Sequence, residues 1–121
     1  MTKKIYYLSS CSTCKRVMHD LKIGNKFELR DIKESPITED ELDHLKKLTG
    51  SYEKIFSKIA MKYRIWGLNN MTLTEDDFRS YILKEYTFIK RPVIVIDDKV
   101  FIGSSRPVLT AAKEALLALT Q

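Results

Sequence analysis

The chain has 121 residues, 44% of them hydrophobic and 31% charged, with a net charge of +5 and a pI near 9.2. That length and balance fit one soluble globular domain able to bury its own core, and they exclude a low-complexity or repeat protein. No apolar run approaches the roughly 20 residues that cross a bilayer, and the positive excess comes without a Lys/Arg block, helix-turn-helix signature or zinc-finger spacing, so neither membrane nor direct nucleic-acid contact is expected.

Lys3 to Leu8 has the β-branched and aromatic content of a strand buried on both faces. Two serines break it, and Cys11-Ser12-Thr13-Cys14 then leads into a helix that puts Val17, Met18 and Leu21 on one side, with Gly24 expected as its left-handed C′ residue. After a turn at Gly24-Asn25-Lys26, the alternation of Phe27-Glu28-Leu29-Arg30-Asp31-Ile32 predicts a strand with one wet face. Two strands joined by a helix form a βαβ unit, so they are expected to lie parallel.

Ser35-Pro36 interrupts the pattern. Thr38 is placed as an N-cap with Glu41 as its capping-box partner, Ile37 and Leu42 as a hydrophobic staple, Leu42, Leu45 and Leu48 as the buried stripe, and Gly50 as the stop. A further helix is expected from Ser51, with Phe56, Ile59, Ala60 and Tyr63 inside and Lys54, Lys58 and Lys62 stacked on a solvated outer face. Gly67-Leu68-Asn69-Asn70 reads as a loop, and Thr74-Glu75-Asp76-Asp77 starts another helix with Phe78, Ile82 and Tyr81 turned inward. Val93–Ile96 and Lys99–Ile102 form a hairpin about Asp97-Asp98. Gly103-Ser104-Ser105 opens a last helix, with Pro107 in its first turn and Val108, Ala112, Ala115, Leu116 and Leu119 as its apolar face.

The chemistry concentrates at the two cysteines. Unpaired N–H groups and the macrodipole at a helix start stabilise an anion, so Cys11 is expected to titrate below the free-thiol value of about 8.5, with Cys14 one turn on and able to resolve an adduct as a disulfide. The Met1-Thr2-Lys3-Lys4 start is followed by too short an apolar run for a signal peptide, so a cytoplasmic protein is expected, where such a pair is redox-active or metal-binding sooner than a structural brace. Zinc wants four ligands, and His19 and His44 stand at no familiar spacing from the cysteines, so no metal is expected. Lys15 and Arg16 add positive charge in the helix's first turn, useful to a thiolate, while Arg91 reads either as a plain salt-bridging residue or, where a fold sets it beside the thiols, as a charge that lowers a thiolate pKa and binds an anion.

Strand, helix, strand, helical insertion, strand, strand, helix is the order of a thioredoxin-like (glutaredoxin-like) α/β fold. It implies one domain over 1–121, with a mixed sheet of about four strands and an all-helical insertion at 36–86 between strands 2 and 3. The Cys11–Cys14 start, the Phe56-Ser57-Lys58, Tyr63-Arg64 and Gly67-Leu68 pieces, Lys90-Arg91-Pro92-Val93-Ile94, and a closing Gly103 with Arg106 together resemble the arsenate reductase (ArsC), Spx and YffB-like family. The resemblance implies a cis-proline at Pro92, a nucleophilic Cys11 and an anion-binding Arg91. It implies Arg106 as a second arginine on the anion, with Ser12, Thr13, Lys15 and Pro92 completing the substrate-binding set. It also implies an external thiol donor (thioredoxin, glutaredoxin or glutathione) and no bound cofactor.

Within that family the chain departs from the glutaredoxin-coupled reductases. Tyr7-Leu8-Ser9 stands in place of His-Asn-Pro, Cys14-Lys15 in place of serine and arginine, and Ser57 in place of an arginine of the central helix. Two readings stay open: a thiol-dependent reductase acting on an oxyanion or small disulfide, and an Spx-type redox regulator that binds RNA polymerase through a Cys-x-x-Cys switch.

Overall fold

Ile5 and the whole run Val93–Ile96 lose nearly all contact with solvent, which only the interior of a sheet allows for such apolar strands. In a computed structural model that describes residues 2–24 and 26–119, these residues belong to β1 (Lys3–Tyr7) and β3 (Val93–Ile96), the two middle strands of a four-stranded sheet. The order is β2-β1-β3-β4, with β2 at Glu28–Asp31 and β4 at Lys99–Ile102. β2 runs parallel to β1 in the register Ile5↔Leu29 and Tyr7↔Asp31, while β3 is antiparallel to both β1 and β4. This is the mixed sheet of the thioredoxin-like fold. As an edge strand β2 alternates poorly: Phe27 and Ile32 beyond its ends are buried, but Leu29 within it is half exposed.

The chain divides into two compact units, Met1–Ser35 with Arg91–Gln121, and Pro36–Lys90. In the first, α1 (Ser12–Asp20) and α5 (Arg106–Leu119) pack on one sheet face, where Val17, Leu21, Ile23, Ala112 and Ala115 close over Ile5, Ile94 and Ile96. The small Ala112 and Ala115 let α5 approach the sheet closely. Helix α1 ends earlier than expected. Lys22, not Gly24, takes the left-handed conformation, at φ 54°. Its N–H bonds to the His19 carbonyl and that of Ile23 to the Met18 carbonyl, a Schellman closure. The reversal comes before Ile23 because Ile23 is drawn into the core, which offsets the cost of a lysine at positive φ. Asn25, the centre of the expected turn, lies outside the described residues.

In the second unit, α2 (Glu39–Thr49) and α4 (Glu75–Lys84) each begin with a closed capping box, Thr38 with Glu41 and Thr74 with Asp77, and α2 stops at a left-handed Gly50. Arg79 of α4 grips Asp43 of α2 with two hydrogen bonds of 2.8 and 3.1 Å, and the Tyr52 hydroxyl donates to the same carboxylate at 2.5 Å. Phe56 stacks on Phe88 and lies against Phe78, while Trp66 meets Phe88 and Tyr81. A short helical turn at Leu68–Asn70 occupies the expected loop and buries Leu68.

The helix expected from Ser51 does not form, although every element between β2 and β3 is helical, as expected. Ile55, Phe56 and Ser57 are consecutively buried, a pattern no helical stripe gives, because Phe56 bridges to Ile89 and the backbone exchanges bonds with it: Ser57 N–H to Phe88 O, and Lys90 N–H to Ile55 O. Tertiary pairing overrides the helical period, leaving only α3 at Met61–Ile65 with Ala60 as its N-cap and Ile59 94% exposed. The lysine row dissolves accordingly. Lys54 donates to the Thr49 carbonyl, Lys58 pairs with Glu53, and Lys62 with Glu85.

Candidate functional site at the start of α1

Parallel pairing fixes the ground under the thiols. The end of β1 is held to β2 by the bond from Ile32 N–H to Tyr7 O, and the chain then turns through Ser9 and Ser10, with Cys11 N–H bonded to the Leu8 carbonyl at 3.0 Å. Cys11 is the N-cap of α1, with φ −91° and ψ 113°, and its carbonyl takes the Lys15 N–H. Both cysteines are free thiols, Cys11 half-buried and Cys14 fully buried.

Their surroundings push them in opposite directions. Partial burial pushes Cys11 up, but the N–H and thiol of Cys14, the Thr13 N–H and the Arg91 charge together outweigh it and hold the thiol below its ordinary value. The Cys11 side chain makes no closed capping bond, so these are dipoles facing the sulfur at the helix start, where the macrodipole also favours negative charge. Burial first, and then the hydrogen bond to Cys11 and its charge, push Cys14 up to about 11 against the lowering pull of the Leu8 N–H and Arg91. The pair presents one ionisable, accessible sulfur and one protonated sulfur in reserve.

Arg91 precedes the buried Pro92 through a cis peptide bond, and the Pro92 carbonyl accepts the Gly103 N–H at 2.9 Å, fastening this corner to the end of β4. Among the other predicted residues, Ser12 and Lys15 are exposed and Thr13 half-buried in the first turn of α1. Arg106 opens α5 on the surface and lines a depression with Arg16, Asp20 and Lys113. Ser57 is buried, off any helix and in the other unit, so no central helix offers the position where an arginine was expected. His19 and His44 are exposed, and among the described residues no cluster of three metal-ligating side chains occurs.

One residue went unnoticed in the sequence. Asp31, at the end of β2, accepts hydrogen bonds from the Ser9 hydroxyl and N–H and from the N–H groups of Lys33 and Glu34; slight burial pushes its carboxyl up, but these bonds hold it lower than usual. It ties the sheet to the loop that presents Cys11. Its signal was the parallel register, which puts Asp31 opposite Tyr7 and next to Ser9.

No helix among the described residues is long and apolar enough to cross a membrane. No curated protein sequence matches this chain. Solved structures do. A solution NMR structure from Staphylococcus aureus COL is 28% identical with a TM-score of 0.75, covering 91% of this chain and 97% of its own. A possible arsenate reductase from Streptococcus mutans UA159 is 25% identical with a TM-score of 0.70, covering 87% and 92%. The arsenate reductase from Vibrio cholerae, 20% identical with a TM-score of 0.71 over 93% and 97%, shares the fold. The family model described as "ArsC family" matches residues 6–112, from within β1 into α5 and across the whole thiol corner, and the chain belongs to the ArsC family.

Proposed function

We propose that this chain is a thiol-dependent reductase of the arsenate reductase type, with Cys11 as nucleophile and Cys14 as resolving thiol. The observation that carries this reading is the opposite titration of two sulfurs one turn apart, the accessible one pulled down and the buried one pushed up to about 11. Family membership supports it.

In the reaction, the Cys11 thiolate attacks the arsenic of arsenate. A sulfur–arsenic bond forms, and an arsenic–oxygen bond breaks with loss of its oxygen as water. Arg91 and the first-turn N–H groups balance the oxyanion's charge, with Ser12, Thr13, Lys15 and Pro92 around it. Cys14 then attacks the Cys11 sulfur. The sulfur–arsenic electron pair stays with arsenic, which leaves as trivalent arsenite and takes up the Cys14 proton, and the two cysteines are oxidised to a disulfide. A dithiol protein such as thioredoxin or glutaredoxin, or two molecules of glutathione, returns the two electrons. On a small disulfide the same thiols act by exchange, with the departing thiol taking the proton.

The test is arsenate turnover with dithiothreitol or glutathione as donor. Activity that is lost in Cys11→Ser upholds the reading. No turnover of arsenate or of a small disulfide, together with co-purification of RNA polymerase subunits, would replace it with the Spx-type regulator.

A further inference from the structure

Helix α1 has a weak start. Its N-cap is Cys11, whose side chain closes no capping bond, no acidic residue stands in its first turn, and Lys15 and Arg16 put positive charge where the macrodipole disfavours it. The closed capping boxes that begin α2 and α4 have no counterpart here. This leaves the Thr13 and Cys14 N–H groups to face the Cys11 sulfur, and something other than a cap has to keep them there.

That hold comes from β2. The turn ahead of α1 closes with Cys11 N–H on the Leu8 carbonyl at 3.0 Å, and the Leu8 N–H faces the Cys14 sulfur, so both sulfurs take their places from the course of the chain through Leu8, Ser9 and Ser10. Ser9 and Ser10 are exposed, without apolar packing to fix them. Asp31 does so instead. The register Tyr7↔Asp31 sets its carboxylate beside Ser9, where it accepts both the hydroxyl and the N–H. On its far side it accepts Lys33 N–H at 3.0 Å and Glu34 N–H, while its own carbonyl takes Ser35 N–H at 2.8 Å. A carboxylate has about four acceptor sites, and the donors named here fill them, so the group that holds Ser9 is itself held.

Resting on the dithiol reading above, we infer that Asp31 is a positioning residue of the thiol site: by clamping Ser9 it fixes the turn that aims the first N–H groups of α1 at the Cys11 sulfur. It works through Ser9 and the chain that follows. Direct charge would act with the opposite sign. A carboxylate near a thiol raises its pKa, so deleting that charge lowers the thiol's titration or leaves it alone, whereas deleting the clamp lets the N–H groups drift from the sulfur and raises it. The same N–H groups face the oxyanion in the proposed attack, so a loosened turn costs thiolate and anion contacts together.

The experiment follows alkylation of Cys11 by iodoacetamide in the reduced full chain as a function of pH, read by mass spectrometry, and takes the midpoint. Asp31→Ala should raise the midpoint by about half a unit or more, a loss of about threefold or more in rate below it. Ser9→Ala removes one clamped donor from an exposed position and should raise it by less. Adding Asp31→Ala to Ser9→Ala should then move it less than Asp31→Ala moves the native chain, because both break one lock. Asp31→Asn, whose amide oxygen still accepts the Ser9 N–H, should stay nearer to the native midpoint than Asp31→Ala. Arg79→Ala, which loosens the other unit, should leave the midpoint in place and so separates a lost clamp from a general loss of stability.

A midpoint that falls or stays with Asp31→Ala, or that rises as much with Arg79→Ala, overturns the inference. Where Asp31→Ala does not fold, Ser9→Ala decides it by the same signs. The readout needs no substrate. Absence of arsenate turnover in the native chain counts against the reductase reading alone, and an unmoved midpoint in a chain that does turn over arsenate counts against Asp31 alone.

Discussion

Cys11 and Cys14 share a hydrogen bond across one turn of α1, yet Cys14 has no exposed surface while Cys11 opens to solvent at the helix's first N–H groups. That asymmetry orders the chemistry. The accessible sulfur is ionised first, and the thiol it leans on stays protonated until an adduct on Cys11 removes the negative charge that helps to hold it so.

Iodoacetamide should therefore modify Cys11 at pH 6 and leave Cys14 untouched. Cys11→Ser should abolish the reaction at that pH. In the same variant Cys14 should react at pH 8 at least tenfold more slowly than a free thiol of pKa about 8.5, because burial persists when Cys11 is gone. Cys14→Ala should slow Cys11 at pH 6 several-fold, since it removes a donor that lowers the Cys11 pKa. Equal rates for the two single-cysteine variants would contradict the asymmetry.

Arg91 acts on both sulfurs through charge. Arg91→Ala should move the thiolate absorbance titration of Cys11 to higher pH, and Arg91→Lys should restore most of the position. If arsenate is the substrate, the lysine variant should recover the titration but not the turnover, because a point charge does not reproduce the planar fork on a tetrahedral oxyanion.

Ser57→Arg, which restores the residue expected from the glutaredoxin-coupled reductases, should not create a better enzyme. Ser57 is 5% exposed, with its N–H committed to the Phe88 carbonyl at 2.6 Å. Forcing a guanidinium into that place should cost about 2 kcal/mol or more in urea unfolding. A stable variant with raised turnover would contradict this expectation.

Asp43 is held down to about 2, first by its hydrogen bonds from Arg79 and Tyr52. A carboxyl lowered in the folded state adds stability that is present above its unfolded pKa of about 3.9 and disappears as pH falls through the folded value. Arg79→Ala should return the Asp43 titration, followed by NMR, toward the ordinary carboxylate range, and should lower stability above about pH 4, with the deficit shrinking as the pH falls toward 2. An unmoved Asp43 would mean that Tyr52 alone suffices.

Sequence by itself determined what depends on near neighbours. Period-two and all-apolar runs marked β1, β3 and β4, the boxes at Thr38 and Thr74 marked α2 and α4, and the Cys-x-x-Cys at a strand-to-helix junction marked the thiol corner, because capping, alternation and dipole effects act within about one turn or one pleat. Tertiary structure decided the rest. The segment after Ser51 follows its pairing with Phe88–Lys90 and not its helical period, Lys22 takes the left-handed turn because Ile23 is claimed by the core, and Asp31 reaches Ser9 only across a parallel register. The difference between the two thiols is of the same kind: any helix start favours an anion at Cys11, but only a packed fold could bury Cys14 and bring Arg91, eighty residues along the chain, to bear on both sulfurs.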